Sequence, residues 1–136
     1  MPSKEDLKRL AFQEIDARSD ELVSLAKTIL ENPEPGYRET KTSDLVTRKF
    51  AELGVPFRAG LALTGVRADL IGGTAGPALA ILGELDSLIV PHHPHADPDT
   101  GAAHACGHHC QLGSMLAVAI GLQAAGVLEG LSGRVA

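Results

Sequence analysis

The sequence predicts an α/β fold, and three observations lead there. Apolar residues recur at helical spacing through the first fifty residues and again near the end. Short strand-like runs punctuated by glycine and proline lie between these helical stretches. One of the runs, A-L-A-I-L-G-E-L (78–85), is apolar at alternate and intervening positions alike, the pattern of a strand covered by helices on both faces.

The elements follow in order. Ser3 and Asp6 form an S-x-x-D start signal, and Leu7, Leu10, Ala11, Ile15, Leu22, Leu25, Ala26 and Ile29 then recur every three or four residues. This predicts one long amphipathic helix over 4–31. The turn N-P-E-P-G (32–36) stops it, because proline supplies no helical N–H. A second helix is predicted over 42–53, with Leu45, Val46, Phe50 and Leu53 inward, closed by Gly54 and Pro56. Strands are predicted over 55–61 and 65–71, then a hairpin turn at 72–77, then the strand 78–85. Residues 87–107 read as a long loop, a length that usually carries function. A helix is predicted over 109–127, and residues 134–136 read as the start of another strand. The helix stretch 112–128 is apolar nearly all round and needs partners on several sides. The expectation is that the 136 residues form the front part of a longer protein.

Composition narrows the function. The chain is 44% apolar and 21% charged, enough to build a core, and its formal net charge is −5. An acidic chain with one Tyr, three Phe and no Trp offers neither a basic phosphate-binding face nor a stacking platform, so no nucleic-acid partner is expected. Residues 112–128 fall short of the roughly 20 apolar residues of a membrane span, and the start M-P-S-K-E-D-L-K-R-L is no export signal. A cytoplasmic protein that does not enter the membrane is expected. The G-G-T-A-G-P run is not a phosphate loop, since no Gly-Lys-Ser/Thr follows.

The chemistry is concentrated in one stretch, 83–110. It holds all six histidines (His92, His93, His95, His104, His108 and His109), both cysteines (Cys106 and Cys110), and two acids, Glu84 and Asp86. Cys106 and His108 are one residue apart, a spacing that lets a thiolate and an imidazole reach one cation. Gly107 between them lets the backbone bend. Both side chains suit zinc and its neighbours manganese, cobalt and nickel. Glu84 and Asp86, also one residue apart, sit where α/β folds place ligands, at a strand's carboxyl end. The bland readings are a buried free thiol for Cys106, solvated or adventitiously metal-binding histidines at H-H-P-H (92–95), and loop solvation for the two acids. Direct roles for His104, His109 and Cys110 are left open.

G-E-L-D-S-L (83–88), followed by a loop and H-A-C-G-H (104–108) ahead of a small-residue helix, resembles the aminoacylase/carboxypeptidase-type metal-dependent amidohydrolases. Upstream, N-P-E-P-G-Y-R-E-T (32–40) is similar to that family's turn after the first helix. The resemblance implies a three-layer α/β/α catalytic domain with a mixed sheet, of which residues 1–136 would be the N-terminal segment, plus an inserted domain that aids homodimerisation. It implies Cys106 and His108 as metal ligands, Asp86 as the acid supporting a metal-binding histidine, and one or two divalent ions, zinc or manganese first, nickel or cobalt next. It implies hydrolysis of an amide bond in an N-acyl amino acid, an aminobenzoyl-glutamate-like compound or a dipeptide. The family's Glu-Glu pair and later histidines would lie after Ala136, so the fragment alone is expected to be inactive. The chain departs from the common motif by placing His109, Cys110 and Gln111 after H-A-C-G-H, and Glu84 where related peptidases place a histidine. The competing reading is a non-catalytic metal-binding module built on His92, His93 and His95.

Overall fold

The computed structural model describes residues 2–136. Helix α1 (Lys4–Ala17) opens on a capping box in which the Ser3 hydroxyl accepts from the Asp6 N–H and the Asp6 carboxylate accepts from the Ser3 N–H. The single helix predicted over 4–31 is two, because α2 runs Ser19–Glu31 and Arg18 breaks the path at φ −113° and ψ 17°. The Arg18 guanidinium turns onto Glu21, with Nε 2.8 Å from Oε2. A one-residue break leaves the three- and four-residue spacing of the apolar face intact, so periodicity cannot register it.

Both halves pack on helix α4 (His108–Leu122). A Cβ at Gly121 would lie 2.9 Å from Ile15 Cδ1 and 3.2 Å from the Ala11 carbonyl, so glycine is what lets α1 close onto α4. Ile29, Val46, Leu112, Leu116 and Ile120 are the most deeply buried large side chains. Helix α4 ends earlier than the predicted 127: Gln123 caps it, and Gly126, at φ 84°, turns the chain toward a short 3₁₀ turn, Leu128–Gly130.

Helix α3 (Thr40–Glu52) begins two residues before its predicted start. Its first turn is capped from outside. The Glu34 carboxylate, itself buried, accepts from the Lys41 and Thr42 N–H groups at 3.0 and 2.9 Å and from both threonine hydroxyls, Thr40 and Thr42. Strands β1 (Phe57–Leu61) and β2 (Gly65–Ala68) form an antiparallel hairpin. The Glu39 carboxylate accepts from the Thr64 hydroxyl, and the Ser43 hydroxyl donates to the Thr64 carbonyl, tying the hairpin's turn to α3.

The main sheet is mixed. Strand β7 (Ser132–Val135) lies between β3 (Leu70–Ile71), to which it is antiparallel, and β4 (Thr74–Leu79), to which it is parallel. This agrees with the predicted α/β class and its mixed sheet, and it revises the local assignments. The predicted strand 65–71 is divided at Asp69 between two sheets. Most of the predicted turn 72–77 is strand, and the predicted strand 78–85 leaves the ladder after Leu79. The cause is β7: it supplies the hydrogen-bonding partners for 74–79 from more than fifty residues away. The two-sided cover expected for 78–85 is not found among the described residues, where Leu79 and Leu82 are 62% and 81% exposed.

The predicted loop 87–107 contains a small antiparallel pair, β5 (Leu88–Ile89) and β6 (Ala102–Ala103), which pinches it at the base. Ala102 and Ala103 are fully buried there. Among the described residues no helix is long and apolar enough to cross a membrane.

One pH dependence follows from the helix junctions. Hydrogen bonds from Arg18 and then Lys49 hold the Glu21 carboxyl down at about 2, from an ordinary 4.5. A depressed carboxyl stabilises the fold above its unfolded pKa, and that contribution is lost as pH falls from about 4.5 through 2. Urea unfolding should therefore show wild type more stable than Glu21→Gln near neutrality, with the gap closing in acid. A gap that stays constant with pH would refute this account.

Candidate functional site

Two segments meet at the amino end of α4. One is the stretch 83–88 leaving the sheet; the other is the turn before the helix. Gly107, the residue before α4, sits at φ 100°, a conformation that side chains with a Cβ rarely adopt. The turn it makes places His108 at the first helical position, facing 83–88.

His108 is held from both sides. Its Nδ1 lies 2.8 Å from the Asp86 backbone carbonyl and 3.1 Å from Asp86 Oδ1. A carbonyl oxygen can only accept, so Nδ1 carries the proton. Nε2 lies 3.0 Å from Glu84 Oε2. Glu84 is gripped in turn by Gln111, one turn along α4. The Gln111 Oε1 accepts from the Glu84 N–H at 2.8 Å, and its Nε2 donates to Glu84 Oε2 at 3.2 Å. Sequence spacing pointed to Glu84 and Asp86 as a pair but gave no contact for Glu84. Gln111 was visible only as a departure from the motif. Its position three residues after His108, on the same helix face, was the available signal.

Asp86 is fixed by its neighbour. The Ser87 N–H and hydroxyl both donate to the Glu34 carbonyl, at 2.9 and 2.8 Å, and Pro35 and Ser87 form an isolated parallel bridge. The N-P-E turn is thus joined to G-E-L-D-S-L. The same residue, Glu34, caps α3 with its side chain and holds Ser87 with its main chain.

The other candidates are placed as follows. Cys106 and Cys110 are exposed free thiols. His104 is buried, with both ring nitrogens unpaired, and its ring lies 5.4 Å from that of His109, whose buried Nδ1 also lacks a partner. Burial, then the neighbouring His109, pushes the His104 pKa down to about 4, and burial lowers that of His109 as well. Both rings are therefore neutral near pH 7. The rings of His93 and His95 lie 5.8 Å apart and tilted on the pinched loop, and the His93 Nδ1 accepts from the His95 N–H. Among the described residues no three His, Cys, Asp or Glu side chains converge as a metal-binding group. The structure brings Asp86, Glu84 and His108 together, and it does not bring His92, His93 or His95 into a convergent set with them.

The donor chemistry at His108 suits a metal. An imidazole with its Nδ1–H fixed by a carboxylate and a carbonyl has Nε2 as its lone-pair nitrogen, the arrangement that orients metal-bound histidines.

No protein-family model matches the chain. It is 33% identical over 103 residues to IAA-amino acid hydrolase ILR1-like 4 of Arabidopsis thaliana, an alignment covering 74% of this chain and 23% of that protein. It is 29% identical over 102 residues to N-acetyl-L-cysteine deacetylase of Bacillus subtilis, covering 73% of this chain and 24% of that protein. Its fold matches a solved dinuclear metal-binding peptidase of the M20 family from Bacillus subtilis, with a TM-score of 0.72 and 27% identity over 88% of this chain and 34% of that one. The chain spans about a quarter of the length of the curated relatives it matches.

Proposed function

The chain is related, in sequence and in fold, to aminoacylase/carboxypeptidase-type amidohydrolases, and on that footing we propose that it supplies metal-binding residues for hydrolysis of an amide bond next to an amino acid. The observation that carries this reading is the clasp on His108, with Asp86 on Nδ1 and Glu84 on Nε2.

In this reading His108 and Cys106 hold a divalent ion, zinc or manganese by their nitrogen and sulfur donors, and Asp86 orients the imidazole. Once bound, the ion polarises a carbonyl and acidifies water. The chain's own residues do the rest of what is assigned here. Asp86 fixes the histidine tautomer, Glu34 and Ser87 fix Asp86, and α4 carries the ring at its first position. The substrate class is an N-acyl amino acid, an aminobenzoyl-glutamate-like compound or a dipeptide, and a homodimer is the proposed assembly. The proposed location is the cytoplasm.

Elemental analysis of the natural protein, paired with an assay of N-acetyl, indolyl-acyl and dipeptide substrates, tests the reading. Close to one or two zinc or manganese ions per chain and hydrolysis of at least one class are expected. A metal-free protein that still hydrolyses amides would overturn it.

A further inference from the structure

The apolar run 78–85 carries a regular set of free backbone groups along one edge. The Ala136 N–H donates to the Leu79 carbonyl, and the Ile81 N–H donates to the Ala136 carbonyl, both at 2.8 Å. One residue thus bridges two that lie two apart on its neighbour, the parallel pattern that β4 and β7 already share. Carried on in the same register, the next groups would be the Ile81 and Gly83 carbonyls and the Gly83 and Leu85 N–H groups. Among the described residues none of these makes a backbone hydrogen bond.

This stretch is fixed in place. A Cβ at Gly83 would lie 2.9 Å from Leu112 Cδ2 and 3.1 Å from Met115 Sδ, so the chain runs directly on α4 there. The Glu84 N–H is held by Gln111 Oε1. Free N–H and C=O groups on a fixed, exposed apolar edge are a template for one more strand.

Beside the edge lies a groove of about 400 Å³, lined by Phe50, Val66, Leu82, Met115, Val118 and Val135 among others. Its charged lining residues, Arg67 and Arg134, already face a shared carboxylate, Asp69, at 2.9 and 3.8 Å. The groove therefore suits apolar side chains better than an anion. Backbone groups that call for a strand and an apolar trough beside them specify the same occupant.

We propose that this edge seats an extended apolar segment running parallel to 80–85, as the onward run of β7 in the natural protein. Its every second residue would donate to the Ile81 and Gly83 carbonyls and accept from the Gly83 and Leu85 N–H groups, while its side chains fill the groove. The proposal rests on the reading of residues 1–136 as one segment of a longer catalytic domain, in keeping with relatives of which the chain spans about a quarter. It is independent of the metal at His108.

Amide hydrogen exchange of the full chain tests this, with the Glu84 N–H as the internal reference for a folded site. The probe is a tail of sequence Val-Ile-Val-Thr-Val fused after Ala136. Its control is Val-Pro-Val-Pro-Val, which lacks the N–H groups that would face Ile81 and Gly83. Without a tail, the Gly83 and Leu85 N–H groups should exchange freely. The first tail should slow both at least about tenfold, and the proline tail should leave them fast. Exchange unchanged by the first tail, or slowed equally by both, would overturn the proposal. So would slow exchange in the untailed chain that deepens with protein concentration, since a second copy would then hold the edge. The reading of His108 rests on metal content instead, so the two can fail separately.

Discussion

In the natural protein, His108→Ala should strip the metal and lower amide hydrolysis by at least about a hundredfold. Replacing even residues that only orient a metal ligand commonly costs 10- to 100-fold in affinity, and His108 is assigned as a ligand itself. The loss should come without unfolding. His108 lies at the first position of α4, its partners are polar, and the core beneath the helix is built from Leu112, Leu116 and Ile120 instead. Asp86→Asn is the companion variant. It keeps the backbone carbonyl that accepts from Nδ1 and removes one carboxylate, so a smaller loss, about tenfold, is expected. Metal content after dialysis, read beside the thermal midpoint, separates the two outcomes. A folded His108→Ala protein with full metal content would sink the assignment.

Glu34→Ala should be the most destabilising polar substitution in the front half, at about 3 kcal/mol or more. The buried carboxylate accepts two backbone N–H groups and two hydroxyls at the start of α3. Hydrogen bonds to a charged acceptor contribute about 1.5–3 kcal/mol each, and the buried Thr42 N–H left behind loses its partner where water reaches poorly. Glu39, at the cap position itself, makes no side-chain cap, so nothing nearby replaces Glu34. Glu34→Gln keeps one good acceptor and should cost about half as much. Urea unfolding monitored by helical signal gives both values; a loss under about 1 kcal/mol in Glu34→Ala would show that α3 does not depend on this cap. The Glu34 main chain still holds Ser87 in either variant, so metal affinity should fall less than stability does.

These two residues show how far sequence reading reaches. His108 was legible because H-A-C-G-H is a compact motif whose chemistry lies within five residues. Glu34 was legible only as part of a turn that stops a helix. Its cap on α3 spans seven and eight positions, and its hold on Ser87 spans 53. The capping box at Ser3 and Asp6 was read correctly because it closes within three residues.

The strands divide in the same way. The alternation of 65–71 and the apolar run 78–85 announced extended chain, but which residues joined a ladder depended on β7, at the far end of the sequence. Glycine-rich 72–77 looks like a turn to any local rule, yet most of it is strand because a neighbouring backbone is there to pair with.

By itself the sequence determined the α/β class, the two helical regions that flank the strands, the concentration of donors in 83–110, and Cys106, His108 and the pair Glu84 and Asp86 as the residues to examine. Those follow from spacing and side-chain chemistry, which are local. The break at Arg18, the mixed sheet around β7, the Glu34–Ser87 link and the Gln111–Glu84–His108 contact were decided by tertiary structure, because each joins groups that only packing brings within hydrogen-bonding distance, or, at Arg18, spares a periodicity that one altered residue does not disturb.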